Sequence, residues 1–426
     1  MRVLSRVSCA PILLFVIIFW GLEACRKKVD DAAPTAPQPK STPDTIAEGA
    51  TFVVPAGYVF TNKPGYYIDY VVKGKIIIWE GVATVEPGTR FVFCHEDAGV
   101  LVTESGGFHA VGTADAPIVF EGCNRHPGAW LGIIFGSDND QNKLSHCIIK
   151  HAGSKPDVMM ANVRAAVGVS THGDPDRYNR VWMSFCQVDS NAGYGAYIAS
   201  RKGYFTEFYG NSFQANTWAP LGLPFNAAVF LKPENSLNND SLPNYQPYIY
   251  LTTIGFNQGS DFSYPGTIPR MSLPYRVQGW KGPLIITSHC TVAPGVIFEM
   301  EENSGIVVKS GFLRAQGTPG QYIFFKGAPG GQGVWNGLAF QSNSFNNILQ
   351  YCYVDGGGGA KLPWTDGQAN VVVGSWFEPG NLSMSYCRIQ SSQAWGVARR
   401  ATSALGIENC EFYFNAFSPD IYIYGN

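Results

Sequence analysis

Trp130, Gly132, Phe135, Asn142, Leu144 and Cys147 recur as Trp335, Gly337, Phe340, Asn347, Leu349 and Cys352, each pair 205 positions apart with no gap. Tryptophan and cysteine each supply only 10 of 426 residues, so a Trp match and a Cys match at one shared offset already set chance aside. The match extends upstream. Tyr70, Val72 and Gly74 correspond to Tyr275, Val277 and Gly279, and Ala110, Gly112 and Thr113 to Ala315, Gly317 and Thr318. Between them Thr84-Val85-Glu86-Pro87-Gly88 answers Thr291-Val292-Ala293-Pro294-Gly295 at offset 207, a slip of two residues that turns absorb. The chain is two diverged copies of one unit, and any fold must build that unit twice.

A shorter period lies inside each copy. An apolar residue, then Cys three positions on, then an apolar residue two further on, occurs at Leu144/Cys147/Ile149, Met183/Cys186/Val188, Leu349/Cys352/Val354, Met384/Cys387/Ile389 and Ile407/Cys410/Phe412. Inward positions on a strand recur every two residues, so a step of three followed by a step of two places a corner between short strands. Short strands joined by corners coil, and stacked coils set equivalent side chains about 4.8 Å apart in interior ladders. The expectation is therefore an all-β parallel β-helix solenoid of two tandem halves. Propellers and sandwiches need hairpin turn signals at even spacing, which this sequence lacks.

The succession Tyr-x-Val-x-Gly, Thr-Val-x-Pro-Gly, Ala-x-Gly-Thr, Trp-x-Gly-[IL]-x-Phe and Asn-x-Leu-x-x-Cys-x-[IV] resembles the right-handed parallel β-helix lipoproteins, pectin-lyase-like in fold, of Bacteroidetes-type bacteria. The resemblance covers about residues 65 to 415, apart from a divergent stretch near 217 to 270. It implies a right-handed coil and says little about activity, because the same fold also hosts polysaccharide lyases and glycoside hydrolases. Related glycosidases carry Asp-Asp, His-Gly-x and Arg-x-Lys elements on successive coils. Here the only Asp-Asp is Asp30-Asp31, far from the repeats, and His172-Gly173 stands alone before Asp174-Pro175-Asp176-Arg177.

Composition agrees with a turn-rich β protein: 48 Gly, 27 Pro, 14% aromatic and only 15% charged residues. A net charge of −2 offers no broad basic field, which argues against a nucleic-acid partner. The N-terminus reads as an address. Arg2 and Arg6 precede an apolar run from Cys9 to Leu22 that is too short to span a bilayer and suits a signal-peptide core. It ends in Leu22-Glu23-Ala24-Cys25, which resembles a bacterial lipobox with Cys25 as the lipidated residue, although Glu23 departs from the usual small or apolar residue. The expected layout is a leader over 1–24, a Pro- and charge-rich tether over 25–49, copy one over 50–216, connecting coils over 217–270 and copy two over 271–426.

Candidate sites follow from local chemistry. Five of the eight cysteines beyond the leader and Cys25 are ladder residues, expected to be free core thiols; Cys94, Cys123 and Cys290 have no counterparts, and a bridge among them stays open. His126, His146 and His151 are near one another in sequence, but 146 and 151 are matched by Tyr351 and Gly356 in the other copy. Asp138 and Asp140 are the one acidic turn suited to Ca²⁺, against a solvated turn; no other cofactor is implied. Asp174, Asp176 and Arg177 form the best acid-plus-base cluster for catalysis. Arg201-Lys202 and Arg399-Arg400 fall at matching turns, offset 198, and such pairs suit the carboxylates or sulfates of an acidic polysaccharide. The aromatic stretch 217–270, with Trp218, Phe225, Phe230, Tyr245, Tyr248, Tyr250 and Phe256, suits either a sugar platform or the core of the linking coils. The sequence thus points to a lipid-anchored outer-membrane protein, periplasmic or at the cell surface, that binds glycans or envelope proteins without catalysis; the alternative is a polysaccharide lyase or hydrolase.

Overall fold

The computed structural model describes residues 43–157, 160–171, 174, 176–253, 261–328 and 333–425. Cys25, the leader, nearly all of the tether, His172, Pro175 and Phe256 lie outside them. Among the described residues every strand ladder is parallel, and in each copy a strand pairs with the strands three before and three after it. Three short strands therefore make one coil, and the coils stack into an all-β parallel solenoid. It begins earlier than expected: Asp44–Ile46 is a strand paired with Tyr70–Val72, inside the segment assigned to the tether. An end strand needs only one residue turned to the core, here Ile46, so its hydrophobic signal is faint.

The interior is a continuous apolar column. Tyr70, Phe91 and Phe120 stack at 4.9 and 5.1 Å between ring centroids, and their counterparts Tyr275, Phe298 and Phe325 follow at 5.7 and 5.2 Å. Rungs at the β-sheet spacing bring rings into van der Waals contact without side-chain strain. Cys147, Cys186, Cys352 and Cys387 are buried free thiols in the ladders, and Cys147 and Cys352 each donate to the carbonyl of the preceding coil's Ala110 or Ala315 at 3.3 Å. Cys410, in the last ladder position, is only partly buried.

The step of three before each ladder cysteine has a backbone cause. The intervening residue adopts positive φ: 49° at His146, 51° at Phe185, 47° at Tyr351, 53° at Tyr386 and 50° at Asn409. One left-handed residue turns the corner and breaks the alternation of faces. Its side chain points outward, where His146 stacks on Phe185 at 4.8 Å and Tyr351 on Tyr386 at 4.9 Å. The paired Pro-Gly corners likewise need Gly88 at φ 83° and Gly295 at φ 79°.

The junction changes how the copies are related. In copy one, strands such as Tyr70–Val72 and Cys147–Lys150 form a seven-stranded sheet, while Gly99–Glu104 and Gly132–Ser137 belong to a 14-stranded sheet. In copy two the counterparts Tyr275–Val277 and Cys352–Asp355 have moved into that long sheet, and Ile306–Val308 and Leu338–Phe340 form a separate six-stranded sheet. Copy two is shifted round the solenoid by one face. The strand count between the copies accounts for it: among the described residues Tyr275–Val277 is the nineteenth strand after Tyr70–Val72, one more than a multiple of three, with Leu221–Pro224, a 3-10 helix at Phe225–Phe230, Ile249–Thr252 and Gly266–Ile268 between the copies.

Candidate functional site

Two faces carry a second, outer apolar layer. On the copy-one part of the long sheet Leu101, Leu131, Ile134, Tyr194 and Tyr197 turn outward and cluster with Met160; on the six-stranded sheet of copy two Ile285, Val307, Ala339, Val372 and Ala398 cluster with Leu362. Residues 160–162 and 362–366 lie in excursions of the two copies, and each drops one apolar plug, Met160 or Leu362, onto the sheet. Because the faces differ, the two layers form separate clusters rather than one strip.

Trp280 stands between two clefts. It rides on a tight turn closed by Gly282 N–H donating to Gly279 C=O at 3.0 Å, and a Cβ on Gly279 would lie 1.8 Å from the Glu302 carbonyl, so only glycine fits there. Trp280 is 74% exposed and Trp376 51% exposed. With Trp364 they line a cleft of about 720 Å³ that also presents Asn303, Asn336, Lys281 and Lys361. The loops bearing the last two tryptophans are tied together, Trp376 N–H donating to Trp364 C=O at 2.8 Å. Lys281 Nζ lies 4.7 Å from the Trp280 ring centroid and Lys309 Nζ 4.8 Å from that of Trp364, so cations already sit on the indole faces.

On the other side of Trp280 a cleft of about 410 Å³ is lined by Tyr194, Tyr197, Tyr250, Arg201, Gln278 and Lys281, among others. Burial pushes the Tyr197 hydroxyl up to about 12 and Tyr194 and Tyr250 upward as well, and Tyr250 donates to Glu301 at 3.2 Å. Burial holds the Lys281 ammonium below its ordinary range, opposed by Asp261 and assisted by Arg201. Among the described residues no carboxylate lines either cleft. The two clefts thus present indole and phenol faces, amides and ammonium groups, with no carboxylate pair among their described lining residues.

No family model, curated protein or solved structure matches this chain. The sites must be weighed on geometry alone.

The candidates read from sequence are placed as follows. Asp176 and Arg201, taken separately from the sequence, meet: Arg201 Nε is 3.4 Å from Asp176 Oδ1. Asp174 caps the turn, its Oδ1 accepting the Asp176 N–H at 2.9 Å, and Arg177 faces Glu104 at 3.9 Å. Lys202 Nζ lies over the Tyr178 ring at 5.0 Å. Arg399 donates to Ser403 C=O at 2.9 Å and Arg400 to Ser375 C=O at 3.0 Å. The two basic pairs sit at matching corners but on different edges of the solenoid, since their strands Tyr194–Ile198 and Trp395–Arg400 belong to different sheets. Asp140 is ion-paired with Arg180 at 2.8 Å, and Arg180 Nε also donates to the Asp138 carbonyl at 2.8 Å. Among the described residues no three His, Cys, Asp or Glu side chains gather at metal-binding spacing. His126 Nδ1 is 3.1 Å from the Pro127 carbonyl oxygen, and burial lowers the His151 pKa.

Of the described aromatics in the stretch 217–270, Phe225 is buried, Phe230 stacks on Tyr204 at 4.6 Å, and Tyr250 lines the cleft beside Tyr194. Trp280, Trp364 and Trp376 were not singled out from sequence. A signal was present: Trp130 and Trp335 repeat and are fully buried, whereas Lys75, Met159 and Thr171 stand 205 residues before these three. A tryptophan with no partner in the other copy is not required by the shared core.

Proposed function

We propose that this protein is a lipid-anchored envelope protein, a right-handed parallel β-helix of pectin-lyase-like type, that holds glycan chains without cleaving them. One observation carries the binding assignment: Trp280, Trp364 and Trp376 line a single cleft together with Asn303 and Asn336. Exposed indole faces are costly in water and favourable against sugar C–H faces, and the amides supply directional hydrogen bonds. The absence of lining carboxylates among the described residues supports binding over paired-carboxylate hydrolase chemistry. Anchoring rests on the apolar run Cys9 to Leu22 followed by Cys25, which would place the solenoid at the outer membrane, on its periplasmic or outer side.

Titration calorimetry against soluble neutral and uronic-acid polysaccharides tests the binding. Saturable binding that falls at least about tenfold in Trp280→Ala/Trp376→Ala is expected. Equal affinity in that variant would overturn the cleft assignment, and new chain ends in the incubated polysaccharide would overturn the non-catalytic reading. Labelled palmitate incorporated by the full chain and lost in Cys25→Ala tests the anchor; label retained in Cys25→Ala would refute it.

A further inference from the structure

Two cysteines stand outside the ladders and beside each other. Cys94 follows the strand Arg90–Phe93 and Cys123 follows the strand Ile118–Gly122; these strands are paired, with Phe93 opposite Gly122. The main chain continues the ladder through both residues, Cys94 N–H donating to Val72 C=O at 2.8 Å and Cys123 N–H to Phe93 C=O at 2.9 Å. The two thiols are thus neighbours on successive coils. Rungs lie about 4.8 Å apart, inside the Cα separation of roughly 4.4–6.8 Å that a disulfide spans.

The second copy shows that the core does not need them. At the matching positions Glu301 and Ala328 make the same main-chain bonds, to Val277 at 3.1 Å and to Met300 at 2.7 Å. Cys290, the third unmatched cysteine, differs: it is fully buried within His289–Val292, where copy one has the equally buried Ala83. Mid-strand ladder thiols keep parallel Cβ vectors, whereas Cys94 and Cys123 stand one residue past their strand ends, where the chain bends. Cys123 is exposed and Cys94 half-buried, so one thiol is open to an exchange partner and the other is sheltered behind it.

We infer that Cys94 and Cys123 form a thiol–disulfide pair that staples two successive coils when the protein meets a disulfide oxidant. The Cys123 thiolate attacks the donor disulfide and releases one donor thiol. Cys94 then gives up its proton to solvent, attacks the Cys123 sulfur and releases the second donor thiol. Two protein thiols are oxidised to one disulfide while one donor disulfide is reduced to two thiols. Exchange begins at Cys123, because burial, and then the neighbouring Cys123 thiol, push Cys94 up to about 12.

The test incubates the reduced full chain with oxidised glutathione, alkylates in denaturant and digests without reduction. The expected product is one cross-linked peptide pair containing Cys94 and Cys123, two hydrogens lighter than the reduced pair and restored by reductant. In Cys94→Ser, Cys123 should retain a stable glutathione adduct, which shows that exchange reaches Cys123 even without its partner. Full alkylation of both cysteines in the native sequence, or a glutathione adduct on Cys123 that persists there, would overturn the inference.

Discussion

Arg201 Nε lies 3.4 Å from Asp176 Oδ1, closing the loop that bears the acidic cluster onto the corner that bears the first basic pair. The acid offered as a catalyst and the base offered as an anion receptor partly neutralise one another. Arg201 is a quarter exposed and Asp176 half exposed, so solvent screens the pair. Arg201→Ala is expected to lower unfolding stability by no more than about 1 kcal/mol. Urea titration followed by tryptophan fluorescence checks this, and a loss above about 2 kcal/mol would mean that the pair organises the loop.

The duplicated tryptophans and the unpaired ones should separate in stability. Trp130 and Trp335 are fully buried, and each donates its indole N–H at 2.8 Å to a carbonyl of the next coil, Lys150 or Asp355. Alanine at either should cost about 3–5 kcal/mol by loss of packing, whereas Trp280→Ala should stay within about 0.5 kcal/mol. Similar denaturation midpoints for Trp130→Ala and Trp280→Ala would contradict this division.

Asn142 and Asn347 bind three coils together. Asn142 accepts from Phe108 N–H at 3.2 Å and donates to Arg180 C=O at 3.2 Å; Asn347 accepts from Leu313 N–H at 3.1 Å and donates to Asn381 C=O at 3.0 Å. Both are buried, so alanine leaves unpaired main-chain groups. Each substitution should cost on the order of 2 kcal/mol or more, and hydrogen exchange should accelerate first at the amides of Phe108 or Leu313. Unchanged exchange there would show that water takes the place of the amide.

Stability should fall at alkaline pH. Burial pushes the hydroxyls of Tyr197 and Tyr424 from 10.0 up to about 12 in the fold. With the folded values above the unfolded ones, the stabilisation is complete below pH 10 and is lost as pH rises towards 12, because the unfolded chain releases protons that the folded chain keeps. Chemical denaturation at intervals from pH 8 to 11.5 measures it; a flat unfolding free energy across that range would exclude the effect.

Much of the architecture was legible before the fold was seen. The Cys-centred pattern located corners that the structure places at positive-φ residues such as Phe185 and Tyr351, and it assigned Cys147 and Cys352 to the interior. Core positions are legible because both copies must satisfy the same ladder spacing, so shared residues mark shared packing. The strand at Asp44–Ile46 was missed because an end coil buries little. The tryptophan cleft was missed because it joins three loops of copy two and has no counterpart to point to it.

The sequence by itself determined that two copies of a coiled β unit follow one another, and which of their residues line the inside, since a period of two and a repeated offset are properties of the chain. Only the tertiary structure decided which face each residue reaches. The coils between Leu221 and Ile268 carry no repeat, and the step of nineteen described strands from Tyr70–Val72 to Tyr275–Val277 shifts copy two by one face. That shift puts Arg201 and Arg399 on different edges and leaves Trp280 lining one cleft with Tyr194 of copy one and another with Trp364 of copy two. Residue spacing counts along the chain, whereas faces are set by how many strands intervene, and in an unpatterned junction that number is settled by packing.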